Sequence, residues 1–405
     1  MTNTPTLWSP GGECRHTLSR PHQVQESPAR RMESTLFNMR MLPFWKNLTY
    51  LHGGAVLVAF SILLLQHQTS ATPEQINSTA GIIINQKDTG LEKVIHLAEA
   101  FKASLKEDQL AQLQLAYSKK DAARWSNFPQ AFSRPNRVGI ALGSLTPAQL
   151  AAAKALLACV LAQGTANEGF DEVEGILSAD DYFGKTTGKT DEFGSRNFYI
   201  AFLGKPSTSE LWELQFGGHH LAIANTYSSG KLTGTTPSFR GVEPMAPIAA
   251  NGKNYRPIEQ EKEAFSGLIE KLSDQEKGAA KLSATFSDLL LGPGRDGQFP
   301  QTKQGLKAGD LSDAKQKLVI KAMELYVRDL DAAAAKSLMT KYTTAMANTY
   351  IAYSGTGTMN QTNDYVRIDG PGIWIEYSVQ PSRDFPGTTH PHSVWRDRSS
   401  DYGGN

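Results

Sequence analysis

The chain has 405 residues, of which 40% are hydrophobic and 20% charged, and carries a formal net charge of +1. That length admits two or three ordinary domains, or one large domain behind a leader, and the composition excludes a wholly disordered chain. A charge this near neutral gives no global field for nucleic acid, and two cysteines, Cys14 and Cys159, cannot build a disulfide framework.

Residues 1–40 are rich in Pro, Ser, Thr and Arg and lack apolar periodicity, so they read as a disordered or mis-started leader. Residues 41–71 read as a secretory signal. Its uncharged run, 53–65, is short of the roughly 20 residues that span a bilayer but suits the apolar part of a signal. Thr69-Ser70-Ala71 supplies small residues for cleavage before Thr72. The rival is an uncleaved signal anchor, because residues 1–52 carry six Lys/Arg against three Asp/Glu. Either way the body, 72–405, is expected outside the cytoplasm as one α+β domain. It would be periplasmic or secreted after cleavage, or else anchored, with membrane contact only through residues 53–65.

From Gly90 apolar residues recur at helical steps: Leu91, Val94, Ile95, Ala98, Phe101. Helices are expected near 91–116, 147–163, 257–271, 274–290, 313–327 and 331–349. Thr146, Ser273 and Ser312 read as N-caps, each preceded by leucine; Thr146 and Ser273 have Gln or Glu three residues on. The three starts are unequally spaced, so they establish no repeat. Cys159, among leucines and valine, reads as an inert buried thiol.

Between 196 and 240 the period changes to two. Strands are expected at 197–204, 211–216, 219–227 and 231–236, an antiparallel meander interrupted at Gly217-Gly218. A second group, 365–368 and 372–379, flanks the turn Asp369-Gly-Pro-Gly372, with 392–396 as a third strand. Strands on both sides of a helical middle imply an α+β fold. Its antiparallel sheet is completed by the C-terminal strands and packed against a set of helices.

Four of the nine histidines fall in two places, His219-His220 and His390-Pro-His392. His390 and His392 can point the same way from a strand, whereas alternation would send His219 and His220 to opposite faces. Neutral imidazole is a common metal ligand, so a divalent ion, zinc among the candidates, fits this set. Glu376 or Glu243 would serve as ligand or general base, and Arg396 would stabilise developing negative charge. The plain alternative makes His219 a core residue and the other two part of a tail.

Several motifs occur together in order: Phe216-Gly-Gly-His-His-Leu221, Thr236-Pro-Ser-Phe239, Asp369-Gly-Pro371, Glu376-Tyr377, His390-Pro-His392, Trp395-Arg-Asp397 and Asp401-Tyr-Gly403. In these the chain resembles a family of mostly bacterial, often exported proteins designated domain of unknown function 3500. The resemblance covers roughly 90–404 and implies one continuous domain, but it brings no activity with it. The functional expectation is therefore an extracytoplasmic protein with a His/carboxylate metal site, working as a metal-dependent hydrolase. The alternatives are a non-enzymatic periplasmic or surface protein binding a small molecule or polymer, with Trp212, Trp374 and Trp395 as stacking surfaces, and a tethered structural protein. No nucleophile elbow, dinucleotide fingerprint or nucleic-acid motif points elsewhere.

Overall fold

The computed structural model describes residues 90–404, apart from 130, 131 and 133–136. The expectations for residues 1–71 lie outside the described residues. Among those described, no helix is long and apolar enough to cross a membrane.

The fold is α+β. Helices α1 (Leu91–Ala103), α2 (Glu107–Leu113), α3 (Pro147–Val160) and α4 (Phe170–Thr187) precede β1 (Tyr199–Leu203), β2 (Trp212–Gly218), β3 (Leu221–Ser228), β4 (Lys231–Gly234) and β5 (Ser238–Gly241). Then come α5 (Glu259–Lys271), α6 (Asp274–Ala280), α7 (Asp313–Val327) and α8 (Ala332–Thr344). The chain closes with β6 (Tyr350–Ser354), β7 (Tyr365–Asp369), β8 (Ile373–Pro381) and β9 (Thr389–Asp397). One sheet of 12 strands runs β1-β2-β3-β5-β9-β8-β7-β6, with two-residue strands at each edge and β4 paired to β3. The C-terminal strand β9 thus lies in the middle, between β5 and β8.

Alternation assigns the two faces. Ile200 and Phe202 join a core with α1, α3 and α4, while Ala201 and Leu203 join a smaller core with Trp125, Phe239, Val394 and Tyr402. On the C-terminal side Val366, Ile368, Ile375 and Trp395 pack under α5, α7 and α8.

Three helical expectations are corrected. The 91–116 helix breaks after Ala103, and its continuation α2 ends at Leu113, where Gln114–Leu115 pairs in parallel with β1. The 331–349 helix stops at Thr344, before a turn into β6. The 274–290 helix stops at Ala280 because the sheet takes its backbone instead. Leu282 donates to the Tyr353 carbonyl at 2.7 Å, and the Ala284 carbonyl accepts from Ser354 Oγ at 2.6 Å. Helix α4 was not anticipated; Gly175, Gly184 and paired acids at 180–181 dilute its periodicity. The capping boxes at Thr146 and Ser273 are formed, whereas Ser312 makes no capping bond.

A repeat that the helix starts alone do not establish is present in the fold. The order helix, helix, two-residue strand, one-turn helix, helix, helix, then a meander occurs twice, in 91–241 and in 259–397, with the strand 114–115 and the short helix 119–122 added in the first. Registers agree: Ile140 pairs with Ile200 as Leu306 pairs with Ile351. Gly139 (φ 96) and Gly305 (φ 101) press on the carbonyls of those partners, where a Cβ would meet oxygen at 2.2 and 2.3 Å. The Gly241 amide donates to the His220 carbonyl as the Arg398 amide donates to Gly372. The two halves join where β5 pairs with β9, Ser238 opposite Trp395.

Candidate metal centre

The junction of the halves brings the histidines together. His390 and His392 lie on β9 on the face shared with Val394, and His392 stands opposite Gly241 of β5. His219 and His220 are not strand residues. They form the two-residue link between β2 and β3, whose last pair is Gly218 with Leu221. His220 adopts φ 62 to make that turn. Strand alternation therefore does not apply, and both rings turn the same way, stacked with centroids 3.7 Å apart. The His220 amide donates to the Asn127 carbonyl at 3.1 Å, and its carbonyl accepts from Gly241 at 2.7 Å.

The rings of His220, His390 and His392 form a nearly equilateral triangle with centroid separations of 5.2, 5.1 and 5.0 Å. Three imidazoles on one tetrahedral zinc, with Zn–N near 2.0–2.1 Å, would place their centroids about 5 Å apart. One nitrogen of each ring lies within 4.8 Å of the others. His392 Nδ1 is engaged by Asp288 Oδ1 at 3.1 Å and Gln380 Nε2 at 2.7 Å, while its Nε2 is buried with no partner. His390 Nδ1 and Glu243 Oε1 are likewise buried and unpartnered, 3.8 Å apart. Buried polar atoms without partners are uncommon, and these three belong to residues that line one cavity, which marks a place for a ligand.

Electrostatics agree with a cation site. Burial, reinforced by the neighbouring imidazoles, drives His220 well below the usual imidazole range and His390 down to about 3. Both rings are thus neutral at pH 7, with lone pairs available. Burial raises the Glu243 carboxyl. Burial also pushes Asp288 upward, but its hydrogen bond to His392 outweighs this and leaves it below the ordinary value.

His219 belongs to a second, overlapping group with His220 and Glu243. Its Nδ1 lies 2.6 Å from Asp180 Oδ1, while Asp180 Oδ2 accepts the Gly194 amide at 2.7 Å. Phe193 and Phe183 pack on its ring, at 4.9 and 6.0 Å between centroids.

Glu376 and Arg396 lie on the same sheet face but not at this centre. The Glu376 carboxylate accepts from Trp374 Nε1 at 2.6 Å and from the amides of Leu290 and Leu291 at 2.6 and 3.3 Å. Burial raises it to about 7. Arg396 donates to the carbonyls of Leu291 and Gly292 and to Asp296 and Asp401. Together they clamp the segment that carries Asp288. The structure therefore gathers His219, His220, His390, His392 and Glu243, and separates Glu376 and Arg396 from them. Trp212, Trp374 and Trp395 are fully buried and offer no stacking surface. Cys159 is half-buried, with its thiol pushed up by burial. Asp180, Asp288, Gln380 and Asn127 were missed. The adjacent acids at 180–181 were the only hint, and Asp288 was hidden in a segment read as helix.

The histidines open onto a cavity of about 450 Å³, walled by Phe128, Pro129, Phe183, Phe193 and Pro381 among others. That volume is usual for small-molecule sites, and the aromatic and proline wall faces the histidines, Glu243, Asn127, Gln380, Arg383 and Asp384.

No curated protein and no solved structure matches the chain. Residues 87–404 match the family described as "Protein of unknown function (DUF3500)". With most of its length and its whole histidine centre inside that match, the chain belongs to the DUF3500 family.

Proposed function

We propose that this protein is a metal-dependent hydrolase that works outside the cytoplasm. His220, His390 and His392 hold a divalent ion, and Glu243 is the general base. The observation that carries the reading is the triangle of buried imidazoles beside a buried carboxylate with one oxygen unpartnered. Zinc is the preferred ion, because it favours tetrahedral sites built from nitrogen ligands. When bound, such an ion lowers the pKa of a coordinated water and polarises a carbonyl.

The protein's own groups supply the rest. Glu243, its affinity for protons raised by burial, takes a proton from the attacking water. The water oxygen bonds to the electrophilic carbon, the bond to the leaving group breaks, and the proton passes to that group. His219, oriented by Asp180, stands beside Glu243 and can relay that proton. The cavity admits a substrate and leaves the reacting atoms on its floor.

Metal analysis of the purified protein, followed by hydrolysis of a panel of p-nitrophenyl esters, tests the reading. About one zinc per chain is expected, lost on His390→Ala/His392→Ala. Glu243→Gln should keep the metal and lose turnover. A chain that takes up no metal, or as much after the double substitution, sinks the proposal. For location, cell fractionation and N-terminal sequencing should find the body outside the cytoplasm, beginning at Thr72. An intact cytoplasmic chain would refute that part.

A further inference from the structure

The cavity has a second set of features that the metal reading leaves unexplained, and they define a ligand class. Exposed large hydrophobic side chains are few: among the described residues they are Phe128, Phe132 and Tyr182, the first two 50% and 59% exposed. Both line this cavity, together with Phe183, Phe193, Pro129 and Pro381. Exposed aromatics concentrated at one concave place mark a binding surface, since scattered ones need no partner. Phe128 is not a loose surface residue. Its carbonyl accepts from Arg137 at 2.5 Å, its amide donates to Ser126 Oγ at 3.2 Å, and the preceding carbonyl accepts from His220. Its backbone is thus fixed relative to the imidazole centre.

Asn127 supplies the polar counterpart. It is only 3% exposed, lines the same cavity, and its side-chain oxygen is buried with no partner. Leaving such an atom unpaired is costly. The amide is therefore matched to a donor that arrives with a ligand, and its backbone ties it directly to His220.

We propose, building on the hydrolase reading, that the site takes aryl carbonyl compounds, that is, amides or esters with a flat aromatic group next to the reacting carbon. The aromatic ring packs on Phe128 and Pro129, Asn127 accepts from an N–H or O–H beside the carbonyl, and the carbonyl reaches the histidines. Aromatic pairs favour offset or edge contacts with centroids about 4.5–7 Å apart.

The test compares benzohydroxamate with acetohydroxamate on the zinc-loaded full chain by titration calorimetry. Benzohydroxamate should bind at least about tenfold tighter, a difference of 1.4 kcal/mol. Phe128→Ala should remove most of that preference without changing acetohydroxamate affinity or zinc content. Asn127→Ala should weaken both probes. Phe128 is half exposed, so its truncation leaves the fold intact. Equal affinity for the two probes, or equal weakening of both by Phe128→Ala, overturns the inference while leaving the metal centre standing. If no zinc binds, the hydrolase reading falls instead. Saturation-transfer NMR with benzamide against acetamide, which needs no metal, then decides the ligand class. Benzamide ring signals that depend on Phe128 support it, and signals unchanged in Phe128→Ala refute it.

Discussion

Asp288 Oδ1 lies 3.1 Å from His392 Nδ1, although the two residues belong to a loop and a central strand 104 positions apart. A carboxylate in that place fixes the ring's orientation and leaves Nε2 facing the other imidazoles, the arrangement by which outer residues tune a metal ligand. Asp288→Ala should weaken zinc binding by about 10–100-fold without abolishing it. Competition against a fluorescent chelator measures this, and unchanged affinity would remove Asp288 from the centre.

Arg396 and Glu376 hold the Asp288 segment on the sheet. Arg396 is fully buried and paired with Asp296 and Asp401. Removing one partner of a buried pair costs about 3–5 kcal/mol. Arg396→Met is therefore expected to lower the melting temperature and to expose residues 281–297 to limited proteolysis. Zinc affinity should fall with it, although Arg396 touches no histidine. Protease resistance equal to that of the unaltered chain would contradict the clamp.

Much of this was legible in the sequence. Period-two alternation located the meander, and His390-Pro-His392 announced two rings on one face. The histidine pair was misread because Gly217-Gly218 looked like the break, when the turn is made by the histidines themselves. The internal repeat was missed for a similar reason. Leu145-Thr146 corresponds to Leu311-Ser312, but Ser273 has Lys106 as its counterpart, so three similar caps never formed an even series. Glu376 and Arg396 had the right chemistry and the right face, but whether a loop covers them depends on contacts from residues some 85–105 positions away.

Buried Glu213 gives a pH signature independent of the metal. It accepts from Thr226 Oγ1 and Gln215 Nε2, yet burial outweighs these bonds and raises its carboxyl from 4.5 to about 7. The folded state therefore holds this proton more tightly than the unfolded chain. Its stabilising contribution is full below pH 4.5 and is lost as pH rises to about 7. At about 1.36 kcal/mol per pKa unit the ceiling is near 3 kcal/mol. Urea unfolding of Glu213→Gln against the unaltered chain should show the variant gaining relative stability from pH 5 to pH 8. A difference constant across that range would rule this out.

Gly241 carries the sharpest prediction, because the other half of the fold contains its control. Arg398 occupies the equivalent position and makes the equivalent amide bond, to Gly372, which has no side chain to crowd. Gly241 instead faces His220, and a Cβ there would stand 3.0 Å from the ring's Cδ2 and 2.9 Å from the Pro391 carbonyl. Gly241 does not need a left-handed backbone, so alanine is resisted mainly by this crowding. Overpacking of that kind costs about 1–3 kcal/mol and should push His220 off the triangle. Gly241→Ala is expected to fold, to lose stability by that amount, and to bind zinc at least about tenfold more weakly. Adding His220→Gly should recover part of the lost stability, since the clash with the ring is removed and only that with the Pro391 carbonyl remains, while zinc binding stays lost. A double-mutant cycle with purely additive stabilities would show that glycine is required there for some reason other than the imidazole.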